Sequence, residues 1–257
     1  MTSKLPLTVI ILVKNEEDNI SDCIDSCSFA SEVLIIDDNS SDRTVEIAQK
    51  KGDFVRVLHR PMNGDWGAQQ TFGINQARND WILFLDADER ISTELKNNII
   101  SIFPSTDNCC YWIQRKNYFN SEQISHGILR PDWVARLMPT KDSRVEGLVH
   151  PKIICPYENR RLKGHLLHHP YKSWDHYFSK FNKYTKLSAE KYFASGRRCS
   201  FFRDIILRPL WAFLKVYFIN KGFLDGKYGL VFSIYHYFYT MTKYVRLYEL
   251  QSKAKRN

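Results

Sequence analysis

The chain has 257 residues, 44% hydrophobic and 25% charged, enough apolar content to bury a sizeable core, which excludes a disordered protein. Its net charge of +9 is unevenly held: residues 1–151 carry 16 basic against 22 acidic side chains, net −6, and residues 152–257 carry 21 against 6, net +15. The aromatics follow the basic end, with 23 of the 36 Phe, Trp and Tyr between Tyr171 and Tyr248, so the last third reads as facing an anionic surface, membrane or nucleic acid.

In chain order, the apolar run Leu7 to Val13 is too short for a signal peptide and lacks a small-residue cleavage site, so a cytoplasmic location is expected. It reads instead as a strand buried on both faces. Asn15 is the expected N-cap of a helix with Glu16, Glu17 and Asp18 in its first turn. A second strand, Val33 to Ile36, ends in Asp37-Asp38-Asn39-Ser40-Ser41-Asp42, and a helix follows from Thr44 to Lys51. A third strand is expected at Val55 to Leu58 and a helix at Gly67 to Ala77. The fourth strand, Trp81 to Leu85, stops abruptly at Asp86-Ala87-Asp88, and Ser92 caps a helix to about Phe103. Alternation at this spacing implies an α/β sandwich with ligands at the carboxyl ends of its strands.

Short strands at Tyr111 to Arg115, Val134 to Met138 and Val145 to Val149 then suggest an antiparallel extension, and from Tyr171 the chain reads as helical. The most apolar stretch, around Ile205 to Ile219, contains Arg208, Pro209 and Lys215, which argues against a membrane span. It reads as an interfacial helix whose cations meet anionic headgroups, or else as a packed helix with a solvated basic stripe. The six cysteines show no C-x-x-C spacing and read as idle thiols, and His165, His168, His169 and His176 lack zinc-like partners.

Two acidic clusters carry the chemistry. An acid ending the second strand suits a nucleotide base or ribose, although Asp and Ser also favour ordinary turns. Asp86 and Asp88, at a strand's mouth, suit Mg²⁺ or Mn²⁺ shared with a diphosphate.

The order Lys14-Asn15-Glu16, Asp37-Asp38-x-Ser40-x-Asp42, then Trp81-Ile82-Leu83-Phe84-Leu85-Asp86-Ala87-Asp88-Glu89 resembles family 2 inverting glycosyltransferases of the glycosyltransferase A fold. Tyr111-Trp112-Ile113-x-Arg115, Asn117-Tyr118-Phe119, Arg130-Pro131-Asp132, Arg136-Leu137 and Gly222-Phe223-Leu224-Asp225-Gly226 resemble, more narrowly, bacterial lipopolysaccharide inner-core β-glucosyltransferases. The resemblance implies that Asp38 binds uridine, with a lesser nucleotide role for Glu16, and that Asp86 and Asp88 hold the metal and sugar-diphosphate. Such relatives commonly carry His-Glu where this chain has His150-Pro151. Glu146 is therefore the first choice for the catalytic base, beside Gly147, with Asp132 second.

The expectation is an α/β fold, a glycosyltransferase A type nucleotide-binding sandwich with a mostly parallel sheet. Residues 1–155 would form the nucleotide-sugar binding and catalytic domain, and residues 156–257 a helical region for acceptor and membrane association. The function expected is metal-dependent, inverting transfer of a sugar, glucose from UDP-glucose being favoured, to a lipid-linked saccharide at the inner face of the cytoplasmic membrane, with no nucleic-acid partner. Two alternatives stand beside it. A nucleotidyltransferase would usually place a Gly-rich basic loop after the first strand, where this chain is acidic, and a nucleic-acid binder would leave the Asp clusters unused.

Overall fold

The computed structural model describes residues 4–103, 108–147 and 151–254. The chain forms two compact units, Met1–Arg115 with Asp132–His168, and Lys116–Pro131 with His169–Asn257. This differs from a division at 155/156, because Glu158–His168 is a strand of the sheet and 116–131 pack among the helices.

The first unit runs β1 (Leu5–Val13), α1 (Ile20–Ser26), β2 (Ala30–Asp37), α2 (Thr44–Gln49), β3 (Val55–His59), α3 (Trp66–Gln76), β4 (Trp81–Phe84), β5 (Glu89–Ile91) and α4 (Thr93–Ile102). Strand β6 (Cys109–Phe119) begins in this unit and ends in the other, where Asn117–Phe119 pair with β7 (Glu122–Ile124). The first unit resumes with β8 (Asp132–Pro139), the ribbon β9 (Arg144–Glu146) and β10 (Lys152–Ile154), and β11 (Glu158–His168).

The sheet order is β3-β2-β1-β4-β8-β6-β11-β5. Its first four strands are parallel, and β8, β6 and β5 add antiparallel pairings. The expected α/β sandwich is present, its parallel half extended by an antiparallel one. Why β1 is mostly apolar is clear from its neighbours. Leu7, Val9, Ile11 and Val13 enter a core with α1, α2 and α4, while Ile10 joins Ile74 of α3, Met138 and Val145 on the opposite face. Ser92 caps α4 as expected, its hydroxyl accepting from the Leu95 amide at 3.2 Å. Asn15 caps nothing: it adopts φ 57°, and α1 begins five residues later after Asn19.

The second unit holds α5 (Trp174–Ala194), α6 (Arg208–Leu214) and α7 (Gly226–Ala254), with wider π-type turns at Phe201–Leu207 and Lys215–Ile219 flanking α6. One cluster gathers Phe119, Ile124, Leu129, Tyr177 and Phe232, and a second gathers Ala189, Ile205, Tyr244 and Leu247. The Gly222–Gly226 motif is a corner. Asp225 accepts the amides of Ser125 at 3.3 Å and His126 at 2.7 Å, and Gly229 of α7 sits so close to the Gly222 carbonyl that a Cβ has no room. Among the described residues no helix is long and apolar enough to cross a membrane.

Candidate active site

Parallel strands place their carboxyl ends on one edge, and the chain order reverses between β1 and β4, the position where open α/β sheets bind ligands. The loops leaving β1 and β2 there are laced together. The Asn15 amide donates to Ser40 Oγ at 3.0 Å, the Ser41 amide to Asn15 Oδ1 at 2.8 Å, the Glu16 amide to Thr44 Oγ1 at 2.7 Å, and the Glu17 amide to Asp42 Oδ2 at 3.1 Å. The left-handed turns at Asn15 and Asn39 serve this lacing rather than a helix start.

Asp38 follows β2. Its Oδ1 accepts the Met62 amide at 2.8 Å and its Oδ2 the Lys14 ammonium at 3.0 Å. Burial alone would raise its pKa, but the Met62 amide and Lys14 outweigh that and hold the carboxyl below its usual range. Asp37 is buried and occupied by the Ser40 amide and His59 Nδ1, so Asp38 is the acid of the pair turned toward the exposed Lys14. Glu16 accepts from Asn19 Nδ2 at 2.7 Å.

The second cluster lies beyond β4. Asp86, its side chain 47% exposed, is gripped by Arg136 at 2.5 Å, and the same guanidinium reaches fully buried Glu89 at 2.9 Å. Register explains how Arg136 arrives. Tyr111 of β6 pairs with Leu137 and Trp112 with Ala135, so Arg136 has no residue opposite it, and this bulge in β8 turns its side chain. Burial would lower the Arg136 pKa, but Asp86 and Glu89 together raise it, and the guanidinium stays charged. Arg115 lies beside the cluster, 3.6 Å from Glu89 and 3.9 Å from Asp86, while its Nε and Nη2 grip Asp132 at 3.0 and 2.7 Å. The structure thus brings Asp86 and Asp132 onto one arginine.

Asp88 faces His168, with Oδ2 and Nε2 3.5 Å apart, because β5 pairs antiparallel with β11 and sets His168 opposite Glu89. The carboxylate partner missing from the local sequence around His168 comes from 80 residues upstream. Asp86, Asp88 and His168 offer oxygen and imidazole donors, yet no group of three or more His, Cys, Asp or Glu among the described residues could hold a metal by itself. Two carboxylates completed by substrate phosphate oxygens fit the coordination habits of Mg²⁺ and Mn²⁺.

Glu146 ends the β9–β10 ribbon, 57% exposed and 2.8 Å from Arg144 Nε. The ribbon is tied to α3 by Thr71 Oγ1, which bonds the Val145 amide and carbonyl, each at 2.9 Å. Gly67 of α3 lies against Gly147, where a Cβ would sit 2.8 Å from the Gly147 carbonyl. The expected histidine His150 and the end of the Val145 to Val149 strand lie outside the described residues.

Sequence reasoning undervalued Glu89, Arg115, Arg136 and His168. Glu89 follows the Asp86-Ala87-Asp88 turn directly, but its full burial beneath two arginines depends on Arg115 and Arg136, 26 and 47 residues away, which local spacing does not encode.

Beside Asp86 opens a cleft of about 610 Å³ lined by Trp66, Gln70, Cys110, Trp112, Trp133, Arg136, Lys152 and Asn159, among others. It draws on α3, β6, β8, β10 and β11, and on neither β1 nor β2.

Residues 8–128 match the family model described as "Glycosyl transferase family 2". Over 98% of its length the chain is 28% identical to "Lipopolysaccharide core biosynthesis glycosyltransferase LpsC" of Rhizobium meliloti, covering 97% of that protein. It is 29% identical to an uncharacterized glycosyltransferase of Rickettsia typhi over 97% of this chain and 89% of that one. Among solved structures, TarS of S. aureus in complex with UDP is similar with a TM-score of 0.49 and 15% identity, over 96% of this chain and 91% of that chain.

Proposed function

We propose, from the match of residues 8–128 to the family 2 glycosyltransferase model and the full-length similarity to a lipopolysaccharide core glycosyltransferase, a metal-dependent inverting enzyme. It transfers a sugar, glucose from UDP-glucose as the favoured donor, to a hydroxyl of a lipid-linked saccharide. The observation that carries this reading is the gathering of Asp38, Asp86 and Asp88 at one carboxyl edge beside the β1/β4 reversal. Asp38, fixed by Met62 and Lys14, accepts a donor group of the uracil or ribose, and Glu16 lies on the adjoining loop.

In the transfer the acceptor oxygen forms a bond to the anomeric carbon as the bond from that carbon to the diphosphate oxygen breaks. The electron pair leaves with UDP, and the acceptor proton goes to a carboxylate on the opposite side. Attack from the face opposite the leaving group inverts the anomeric centre. Glu146 takes the proton in this reading: it is exposed and held by one arginine contact, whereas both oxygens of Asp132 are already occupied by the Arg115 fork. Asp86 and Asp88 would hold Mg²⁺ or Mn²⁺, which supplies neutralisation of charge growing on the diphosphate. Arg136 orients Asp86 for that role.

The second unit associates with the inner face of the cytoplasmic membrane. Phe201, Phe202, Trp211, Phe218, Ile219 and Leu224 are each more than half exposed along the segment bearing Arg203, Arg208, Lys215 and Lys221. Side chains this large and apolar, interleaved with cations, suit an anionic lipid interface.

The test is a UDP-release assay over a panel of UDP-sugars with Mn²⁺ or Mg²⁺ and deacylated or intact lipopolysaccharide acceptors. Release that requires both metal and acceptor supports the reading, and metal-independent transfer or no release with any donor refutes it.

A further inference from the structure

The cleft beside Asp86 has a composition that nothing in the donor chemistry requires. Its walls present three tryptophans. Trp66 is exposed at the first turn of α3, Trp112 is fixed by its Nε1 donating to Asn159 Oδ1 at 2.8 Å, and Trp133 lies beneath the Arg161 guanidinium at 4.6 Å from the ring centre. Held indoles of this kind are flat apolar platforms already set in place.

Two polar atoms in the same cleft are unusual. Gln70 Oε1 and Arg136 Nε are buried and have no hydrogen-bond partner among the described residues. A buried acceptor or donor left unpaired by the protein is costly, and a ligand group or a water entering from the cleft resolves it. One is an acceptor and the other a donor, a pair that a hydroxyl-rich ligand satisfies from both sides.

Flat aromatic faces suit the C–H face of a pyranose ring, whose hydroxyls project around the rim. Paired acceptor and donor atoms suit those hydroxyls. We infer that this cleft is the acceptor subsite, binding a sugar ring of the saccharide by stacking on Trp112 and Trp133 with hydrogen bonds to Gln70 and Arg136. The inference rests on the glycosyltransferase reading. It assigns the cleft to the acceptor because no wall comes from β1 or β2, whose loops carry Glu16 and Asp38, and Asp86 is where cleft and nucleotide edge meet.

The test uses the full chain, with deacylated lipopolysaccharide core oligosaccharide as the probe, followed by calorimetry, and UDP as the control ligand. Trp112→Ala should weaken oligosaccharide binding three- to tenfold and raise the acceptor KM by the same factor, while Trp112→Phe keeps most of the affinity. UDP affinity should stay unchanged in both. Gln70→Met separates a ligand contact from a structural one. It removes an acceptor that has no partner in the fold, so the thermal midpoint should hold or rise while oligosaccharide binding falls. Oligosaccharide affinity that is undetectable in the wild type, or unaltered in both Trp112→Ala and Gln70→Met, overturns the subsite. Donor-dependent UDP release persisting in that case leaves the glycosyltransferase reading standing, whereas its absence with every acceptor removes that reading itself.

Discussion

Arg136→Met is the most informative single perturbation of the site. The side chain contacts two carboxylates of different standing: Asp86 is about half exposed, so its pairing is worth little to stability, while Glu89 is fully buried. Removing one partner of a buried pair typically costs about 3–5 kcal/mol, because the other charge is left uncompensated. Here the Asp86 amide still bonds Glu89 at 3.0 Å and Arg115 remains 3.6 Å away, which places the loss near the lower end, about 3 kcal/mol. For a protein of this size that corresponds to a fall of roughly 6–12 °C in the thermal midpoint. Urea unfolding and calorimetry at neutral pH measure both quantities. The double substitution Glu89→Met with Arg136→Met should recover most of the loss, since an apolar pair of similar volume carries no buried charge. A single-variant loss below about 1 kcal/mol, or a double variant no more stable than Arg136→Met, refutes the description of Glu89 as a buried charge held by Arg136.

Asp38→Ala should weaken UDP binding by about 1–3 kcal/mol in calorimetry by removing an acceptor from the base or ribose, and unchanged affinity would count against that contact. Asp88→Ala should abolish metal-dependent transfer with the fold retained, judged by circular dichroism. Full activity of this variant in EDTA would contradict the metal role. Glu146→Gln should lower turnover roughly 10²- to 10⁴-fold with UDP binding preserved. Normal turnover there, with Asp132→Asn inactive but still binding UDP, would move the base to Asp132. In the helical unit, burial, with Lys243 and Lys215 adding to it, holds the His236 pKa down to about 4. The unfolded chain takes up a proton below about 6.5 that the folded chain refuses, so stability present above that pH is lost as pH falls toward 4, by at most about 1.4 kcal/mol per unit. His236→Gln should flatten this part of the stability profile, and an identical slope would show the residue is not responsible.

The parallel half of the sheet was legible because its central strands β1, β2 and β4 are buried on two faces and carry mostly apolar runs, as Val9 to Val13 does in β1. The acidic edge was legible for the complementary reason: Asp38, Asp86 and Asp88 interrupt such runs where strands end. Asn15 misled because Asn serves both as a helix cap and as a left-handed turn residue, and the choice was made by Ser40 and Ser41, 25 and 26 residues away. The Arg136 grip depends on a bulge in β8, which shifts a register by one residue and leaves no local pattern behind.

The chain passes between its two compact units after Arg115, Pro131 and His168. Phe119, Ile124 and Leu129, which lie on the middle excursion, are buried in one cluster with Tyr177 and Phe232. A fragment beginning at His169 would leave the partners of those three side chains exposed, forfeiting roughly 1.5–3 kcal/mol for each large side chain uncovered. The helical unit is therefore not a detachable tail. A hybrid that borrows this unit from a relative must exchange residues 116–131 together with the helices, and a graft of the helices alone would insert foreign surfaces into the middle of its core.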